Sequence, residues 1–436
     1  MGKPRYTATM RWLYRLVYYC LAVASLPHVL RLLLTRGPYR RNLGERWGHY
    51  PPRPPDPSGR RWWIHAVSLG EIDVALTLIR RLREENEPID FVLTTVTPEG
   101  RRLAELADLP GVSLHYAPLD FVSCQRRAFE AFRPDLLVLI ELELWPAQLW
   151  EADGRKVPVV IVNGRLPARE LSGYRKIAWF MKPVFGIPEF VCVQSELDAE
   201  AFRAMGSRGV EVTGNMKFDA ALAKISEVGS ARLVLSVRRV LLGASTHPGE
   251  EEILVAVMQK ARSSGHELLL VLAPRDVGRA AEISRLASAQ GLRVAMRSSV
   301  NLSTALDSAD VLVLDTIGEL GSFCRSADLV FVGKSLTAKG GQNMIEPAAS
   351  GCAVLFGPHT GNFDWIADLL VQSGGAVRVR DARDLENQVL RLLADPAAGA
   401  ALGTAARLMV TEHAGATAAN AARLLRKQVR GNFGRD

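Results

Sequence analysis

Short runs of apolar residues alternate with amphipathic stretches from about residue 62 to residue 379 of this 436-residue chain. The runs are rich in valine, isoleucine and leucine, and a stretch with helical periodicity follows each one. Continuous apolar runs of this length predict strands of a parallel sheet whose two faces are both covered by helices. The pattern predicts two series of strands, at 62–67, 90–95, 112–117, 136–140, 158–163 and 190–194, and at 238–245, 267–274, 310–316, 328–333, 353–357 and 376–379.

The gap between the two series predicts the domain organisation. Residues 215–237 lack a strong strand pattern and are interpreted as the crossover. We therefore expect an N-terminal segment over 1–50, a Rossmann-like domain over 51–225, and a second one over 226–436 that ends in alanine-rich helices. The predicted fold is α/β, with two doubly wound domains that face each other across a cleft.

The N-terminal segment contains a charge-free apolar run from Leu16 to Leu30, between Arg15 and Arg31. As a helix these fifteen residues would span roughly 22 Å, which is short of the ~30 Å hydrocarbon core of a membrane. A cleaved signal peptide is disfavoured because arginines, and no small-residue cleavage site, follow the run. A short span with snorkelling arginines and an interfacial helix both fit, so we expect membrane attachment and leave its depth open.

The net charge of +8 comes from the same end of the chain. Residues 1–61 hold twelve basic and two acidic residues. A nucleic-acid enzyme would instead carry basic stripes on its folded domains. Arginines after the apolar run indicate that the folded part stays on the cytoplasmic side, beyond a stiff proline-rich linker at 51–58. The five cysteines are far apart in sequence, and we expect each to be a buried apolar side chain.

Acidic and basic residues follow several strands of the first series, where open parallel sheets bind ligands. Glu71 falls in the first helical turn after strand 62–67, where it could be a general base or could simply complement the helix dipole. Taken alone, the dipole interpretation is preferred. Glu141 and Glu143 share one side of the segment after strand 136–140, as a catalytic pair or an ion-paired cap. Lys217 could offset charge on a leaving phosphate or be an ordinary surface lysine.

The second series is typical of an anion-binding domain. Strand 267–274 ends in Pro274-Arg275, which places a guanidinium where it could bind phosphate. The glycine pair in Gly340–Pro347 (GGQNMIEP) predicts free backbone N–H groups around an anion at a helix N-terminus, with Glu346 available to a ribose diol. Gly333-Lys334-Ser335 resembles the end of a P-loop but lacks its leading glycine. No metal-ligand spacing occurs among the histidines, so no metal site is expected, and His65 is expected to be a hydrogen-bonded core residue.

Five motifs in register resemble one family, the Kdo (3-deoxy-D-manno-octulosonic acid) transferases. Their order and spacing agree with the family from about Arg36 to Val379. The motifs are His65–Glu71 (HAVSLGE), Thr94–Gly100 (TTVTPEG), Glu141–Pro146 (ELELWP), Gly214–Asp219 (GNMKFD) and Leu355–His359 (LFGPH). The resemblance implies the two-domain GT-B glycosyltransferase fold and a place at the cytoplasmic face of the bacterial inner membrane. It also implies inverting transfer of Kdo from CMP-Kdo to the lipid IVA precursor of lipopolysaccharide, with no metal or other cofactor.

The resemblance also implies roles for particular residues. Glu71 matches the catalytic base, and Glu141 and Lys217 match residues that support the transition state. The residues that match CMP-binding segments are Pro274, Arg275, Ile317, Gly318, Glu319, Asn343, Met344, Ile345 and Glu346. The chain departs from the family pattern at several positions, where the family usually has other residues: Leu142, Asp276, Lys334, Gln342, Met344 and Ile345.

Two other functions remain open at this stage. One is a GT-B enzyme that uses a UDP-sugar, and the other is an inactive nucleotide-sugar-binding protein. The joint presence of Glu71, Glu141, Lys217 and Arg275 disfavours the inactive protein. Candidate contacts for the acceptor's phosphates are the cations around the helix after strand 158–163, although an ordinary solvated helix face would show the same charges. These cations are Arg165, Arg169, Arg175 and Lys176. The sequence does not indicate how many Kdo units would be transferred.

Overall fold

The computed structural model of the protein describes residues 6–35, 40, 42–52, 60–227, 238–300 and 308–431. The chain divides into two compact units, Met1–Ala220 with Ala414–Asp436, and Ala221–His413. Each unit has, in its described part, one parallel sheet of seven strands with helices around it. The predicted α/β class with two doubly wound sheets is therefore confirmed.

The first unit is built on a sheet with the strand order β3-β2-β1-β4-β5-β6-β7. Its strands are β1 (Arg61–His65), β2 (Asp90–Thr95), β3 (Val112–Tyr116), β4 (Leu136–Ile140), β5 (Val159–Gly164), β6 (Phe190–Val193) and β7 (Val210–Val212). Its helices up to the boundary are α1 (Ala8–Thr35), α2 (Leu43–Arg46), α3 (Leu69–Glu84), α4 (Pro98–Ala107), α5 (Val122–Phe132), α6 (Pro146–Gly154), α7 (Ala168–Lys176), α8 (Ala178–Phe185), α9 (Glu196–Ala204) and α10 (Met216–Glu227), which runs on into the second unit.

The second unit is built on a sheet with the order β10-β11-β9-β8-β12-β13-β14. Its strands are β8 (Arg239–Thr246), β9 (Leu268–Pro274), β10 (Val294–Met296), β11 (Val311–Val313), β12 (Leu329–Val332), β13 (Ala353–Phe356) and β14 (Ala376–Arg378). Its helices are α11 (Glu250–Ser263), α12 (Ala280–Ala289), α13 (Leu320–Ser326), α14 (Ile345–Ala349), α15 (Asp364–Gln372), α16 (Ala382–Ala394) and α17 (Pro396–Glu412). The last helix, α18 (Ala416–Gly431), returns to the first unit.

Strand β1 shows why the apolar runs become central strands. Trp62 and Trp63 are both almost fully buried, and they belong to two different hydrophobic clusters. Successive side chains of a strand point to opposite faces, so the two indoles fill the cores above and below the sheet. All twelve predicted strands form. The two that were not predicted, β7 and β10, have three residues each and lie at sheet edges, where a run is too short to give a pattern.

The unit boundary differs from the predicted one. The sequence placed everything from 226 to 436 in the second domain, whereas residues 414–436 belong to the first unit, and the division falls inside α10 after Ala220. Asp219 explains the return of the chain, because its carboxylate accepts hydrogen bonds from Gly415 N (2.8 Å) and Thr417 N (3.2 Å) at the start of α18. Periodicity predicts a helix here but does not indicate which core the helix packs on.

Helix α1 packs one face on the first unit. The Tyr14 hydroxyl donates to the Asp120 carboxylate (2.5 Å), and the Asp120 N–H donates to the Tyr18 hydroxyl (3.0 Å). The Asp120 carboxylate also accepts hydrogen bonds from Ala147 N and Gln148 N, at the start of α6. These contacts hold the first half of α1 against the unit.

Large apolar side chains of α1 also remain exposed, and they are not confined to one face, since Leu21 lies two turns after Tyr14 on the same side of the helix. They are Trp12, Leu16, Val17, Tyr19, Leu21, Val23, Leu26, Val29, Leu30 and Leu34. The helix has 28 residues, but neither it nor any other helix in the described ranges is long and apolar enough to cross a membrane. Cys20 is exposed on this helix, so the prediction that all five cysteines are buried is wrong for Cys20 and confirmed for the other four. Most of the linker predicted at 51–58, namely residues 53–58, lies outside the described residues.

Candidate functional site

Both sheets reverse their strand order at one point, and charged residues gather at the carboxyl ends of the strands there. In the first sheet the reversal lies between β1 and β4, which are parallel neighbours, with His65 beside Leu139. The segments that carry Glu71 and Glu141 therefore leave the sheet side by side. In the second sheet the reversal lies between β8 and β12. Ligands of open α/β sheets bind at such points.

Glu71 forms part of a capping arrangement at the start of α3. Ser68 is the N-cap residue, and its hydroxyl donates to Glu71 Oε1 (2.7 Å). The Val67 N–H donates to Glu71 Oε2 (2.8 Å). This is the S-x-x-E pattern of a capping box, with the glutamate bonded to the N–H one residue before the cap. Glu71 is only 7% exposed. Its hydrogen bonds show that it stabilises the start of α3, as one of the two interpretations from the sequence expects.

The environment of Glu71 also suits proton transfer. Burial raises the pKa of the Glu71 carboxyl, and the nearby negative charge of Glu141 raises it further. The hydrogen bonds from Ser68 and Val67 and the charge of Lys217 act in the opposite direction. A carboxylate with a raised pKa is a stronger base than an ordinary glutamate, and each oxygen still has a lone pair to accept a proton.

Glu141 and Lys217 form an ion pair beside Glu71. The Lys217 Nζ lies 2.6 Å from Glu141 Oε1, and both side chains are largely buried. Glu141 has a left-handed backbone conformation, with φ of 62°. A non-glycine residue in this region is strained, and such strain is found at functional sites. The sequence left two interpretations of Glu141 open, and the ion pair is observed. Because the pair lies next to Glu71, a catalytic role of Glu141 is still compatible with the structure.

Two asparagines that the sequence analysis missed hold Lys217 in place. The buried Asn163 is the residue before the last of β5, and its Oδ1 accepts a hydrogen bond from Met216 N (2.9 Å). The buried Asn215 accepts one from Lys217 N (3.0 Å) through its Oδ1. Together they satisfy N–H groups at the beginning of α10. The sequence signal that could have identified Asn163 is its position as a polar residue at the end of the apolar run 158–163.

Glu143 is a third carboxyl group in this region. Its Oε2 accepts a hydrogen bond from the Trp145 indole (2.7 Å). Burial raises the pKa of Glu143 to about 8, and the negative charges of Glu71, Glu141 and Glu170 contribute. The group is therefore mostly protonated at neutral pH, which limits the negative charge around Glu71.

This raised pKa predicts a pH-dependent stability. The folded-state pKa of Glu143 lies above its ordinary value of 4.5, so folding opposes its ionisation, and stability is lost as pH rises from 4.5 towards 8. We expect the melting temperature of Glu143→Gln to fall less between pH 6 and pH 8.5 than the melting temperature of wild type does. Thermal unfolding at both pH values measures this. Glu200→Gln, an exposed glutamate of α9, should keep the wild-type dependence, and an unchanged dependence in Glu143→Gln would contradict the prediction.

The second unit presents Arg275 at the end of β9. The side chain is exposed, and no carboxylate in the described part of the chain pairs with it. Pro274 before it is buried as the last residue of the strand. Glu319 pairs instead with Arg297 (2.7 Å) and accepts a hydrogen bond from Thr316. Arg275, unlike Arg297, therefore has a positive charge that is available to bind an anion.

The segment after Gly340 differs from its prediction. The Gly341 N–H is not free, because it donates to the Lys334 carbonyl (2.9 Å). Helix α14 has only five residues, too few to build up a large dipole. The glycines are required by packing instead: a β-carbon on Gly341 would lie 2.3 Å from the Thr360 carbonyl oxygen. The Gly341 N–H is therefore not part of the predicted cradle of backbone N–H groups.

The other residues of this segment are divided between core and surface. Met344 and Ile345 are fully buried, so their side chains belong to the core. Asn343 Oδ1 accepts a hydrogen bond from Ile345 N (3.0 Å). Glu346 is partly buried, with Lys224 Nζ 4.0 Å from its Oε2. Ile317 is exposed, and Gly318 needs its left-handed φ of 97°.

His65 is a core residue, as predicted. It is buried, its Nδ1 lies 3.0 Å from Thr94 Oγ1, and burial lowers its pKa to about 4. Among the residues that the structure describes, no group of three or more histidine, cysteine, aspartate or glutamate side chains is arranged to hold a metal ion.

Comparison with known proteins places this fold in a class. A solved UDP-GlcNAc 2-epimerase from Neisseria meningitidis, bound to UDP-GlcNAc, matches with a TM-score of 0.59 at 14% identity, over 84% of this chain and 100% of that one. At this identity the match shows the fold alone, which is a GT-B-like α/β fold with two parallel sheets.

The particular family follows from the sequence comparisons. A family model described as 3-deoxy-D-manno-octulosonic-acid transferase (kdotransferase) matches residues 41–220. The 3-deoxy-D-manno-octulosonic acid transferase of Bordetella pertussis is 33% identical over 91% of this chain and 95% of its own length. That of Haemophilus influenzae is 31% identical over 92% and 96%. The chain belongs to the 3-deoxy-D-manno-octulosonic acid transferase family and is a glycosyltransferase.

Proposed function

We propose that the protein transfers Kdo from CMP-Kdo to lipid IVA in lipopolysaccharide biosynthesis. The observation that carries this proposal is the match to curated Kdo transferases over nearly their whole length. The carboxylates and the lysine at the reversal point of the first sheet support it, because they are the residues that the family resemblance identified for catalysis.

In the proposed reaction the first unit activates the acceptor. A hydroxyl of lipid IVA gives its proton to the Glu71 carboxylate while its oxygen bonds to the anomeric carbon of Kdo. The bond from that carbon to the phosphate oxygen breaks, and CMP leaves with the electron pair. Attack opposite the leaving group inverts the anomeric configuration. Lys217 pairs with Glu141, so that a positive charge stands beside the two carboxylates.

The second unit is proposed to hold the donor. The exposed guanidinium of Arg275 suits the phosphate of CMP. The partly buried Glu346 carboxylate is available to accept hydrogen bonds from the ribose hydroxyls. Cationic side chains would then neutralise the leaving group without a metal ion.

The acceptor's phosphates are proposed to bind the cations around α7. Arg165, Arg169, Arg175 and Lys176 lie on or just before this helix, and none of them pairs with a carboxylate of the described residues. Trp179 follows on α8 with 60% exposure. Cations next to an exposed indole fit a molecule with phosphates on its sugars and acyl chains behind them.

Membrane association is proposed to involve the exposed apolar residues of α1, at the cytoplasmic side of the inner membrane. Its apolar side chains are exposed over several turns, and the adjacent Phe180 of α8 contacts Tyr14 of α1 and Trp179. An apolar helix face flanked by arginines binds the headgroup region of anionic membranes.

Replacing Leu21 and Val23 by glutamate should release the protein from membranes. Both side chains are more than 60% exposed, so the folded state should tolerate the change, while burying two carboxylates in the interface is costly. We expect co-flotation with anionic lipid vesicles to fall strongly. Leu106→Glu, at an equally exposed leucine of α4, is the control and should float like wild type; equal flotation of all three proteins would contradict the proposal.

The direct test is mass spectrometry of lipid IVA after incubation with the protein and freshly made CMP-Kdo. We expect products heavier by whole Kdo units, formed also in the presence of EDTA. Product formation from a UDP-sugar but not from CMP-Kdo would overturn the proposed donor. Loss of activity in EDTA, restored by a divalent ion, would overturn the metal-free mechanism.

A further inference from the structure

Lys334 is a second cation at the reversal point of the second sheet. It follows β12, while His247 follows β8 and Arg275 follows β9. Since the strand order is β9-β8-β12, the three residues lie in a row along the carboxyl edge of the sheet. Burial lowers the pKa of His247, and the charges of Lys334 and Arg275 both contribute to this lowering. The two cations therefore act on the same space around His247.

The backbone of Lys334 is in a conformation that suits glycine. Its φ is 55°, where a β-carbon is strained and glycine is not. A non-glycine residue held in this region indicates a function for its side chain when the surrounding structure fixes the turn. Here the turn is fixed, because Gly333 has no room for a β-carbon and Ser335 is fully buried.

The turn itself has no capacity left to bind an anion. The buried Glu250 carboxylate accepts hydrogen bonds from the N–H groups of Lys334 (2.8 Å), Ser335 (3.0 Å) and Leu336 (3.1 Å). An internal carboxylate thus occupies the position that a phosphate takes in a P-loop. Any anion that binds at this turn must therefore use the side chain of Lys334.

The Lys334 side chain lies against Gly340 of the following loop. A β-carbon on Gly340 would lie 3.3 Å from Lys334 Nζ. No carboxylate of the described residues pairs with this ammonium. Gly340 therefore leaves the space next to the ammonium open.

We propose that the Lys334 ammonium binds an anionic group of the nucleotide-sugar donor, either its phosphate or its carboxylate. This inference rests on the proposed CMP-Kdo donor, which offers one group of each kind. Lys334 and Arg275 together then provide two cations for the two anionic groups. Lys334 becomes a donor-binding residue at a position where the family usually has glycine.

The test uses Lys334→Gly and Lys334→Met in the full-length protein. The glycine variant removes the charge and the backbone strain together, so its melting temperature should equal or exceed that of wild type. The methionine variant removes the charge alone. Loss of a charge-assisted hydrogen bond should weaken binding about 10- to 100-fold in both. Lys334→Arg should keep wild-type binding, and Lys339→Gly, at an exposed lysine of the same loop, is the matched control.

Calorimetric titration with CMP and with cytidine distinguishes the outcomes. Weaker CMP binding with unchanged cytidine binding assigns Lys334 to the phosphate. Unchanged CMP binding with a raised KM for CMP-Kdo assigns it to the carboxylate. If neither quantity changes, or if Lys339→Gly changes both equally, the proposal is overturned. Failure of wild type to bind CMP would instead overturn the proposed donor.

Discussion

Glu71→Gln should lower kcat for Kdo transfer by about 10²- to 10⁴-fold, the usual contribution of a general base. The amide cannot accept the proton of the attacking hydroxyl. Its oxygen can still accept the hydrogen bond from the Val67 N–H and its NH2 group can donate to the Ser68 hydroxyl, because glutamine also fits a capping box. The melting temperature should therefore change little. Single-turnover transfer to lipid IVA and thermal unfolding measure the two effects separately.

Asp198 provides a matched control for the structural part of this result. At the start of α9, the Ser195 hydroxyl donates to Asp198 Oδ2 (2.6 Å), as Ser68 does to Glu71. The Asp198 carboxylate also accepts a backbone hydrogen bond, from Leu166 N. Asp198→Asn makes the equivalent change in the same unit and should leave kcat unchanged. Equal kcat values for the two variants would show that Glu71 only caps its helix.

Lys217→Met should lower kcat by about 10²- to 10³-fold, as expected when a charged group next to the reacting atoms is lost. The variant leaves the largely buried Glu141 without its cation. The positive charge of Lys217 lowers the pKa of Glu71, so its removal raises that pKa. Since the base works in its ionised form, the acidic limb of the kcat/KM profile should move to higher pH.

Glu141→Gln should move the same limb in the other direction. The negative charge of Glu141 raises the pKa of Glu71, and its removal lets Glu71 ionise at lower pH. Shifts of opposite sign are not expected from two variants that merely loosen the fold. Lys260→Met, at an exposed lysine of α11, should leave the profile in place. If the acidic limb moves in the same direction in Lys217→Met and Glu141→Gln, or does not move in either, Glu71 is not the base whose ionisation the profile reports.

The sequence predicted the strands whose two faces are both buried, because such strands are continuous apolar runs. Strands such as β4 are fully buried and gave clear signals, whereas the edge strands β7 and β10 did not. The return of α18 to the first unit was not predictable, since it depends on the contacts of Asp219 with Gly415 and Thr417. Those residues are nearly 200 positions apart, and no local pattern connects them.

The candidate site was predictable at its charged residues and not at their supports. Glu71, Glu141 and Lys217 follow strands, and the structure brings them together. In the sequence Asn163 is only the last residue of a predicted apolar strand. Its contact with Met216 forms between segments far apart in sequence, so no local pattern predicts it. The glycines at 340–341 were interpreted through their backbone N–H groups, whereas Gly341 packs closely against Thr360 and Gly340 lies against the Lys334 side chain. Sequence spacing shows where a loop is tight but not what lies against it.

The contact between α1 and Asp120 has a consequence for shortened forms of the protein. Asp120 is almost fully buried, and burial raises its pKa to about 7. Its carboxylate anchors the first N–H groups of α6, which directly follows the ELELWP segment containing Glu141. A protein trimmed to begin after α1 for solubility would lose the Tyr14 phenol and uncover this acid. Diminished turnover in such a preparation would then reflect a loosened ELELWP segment as well as a missing membrane contact.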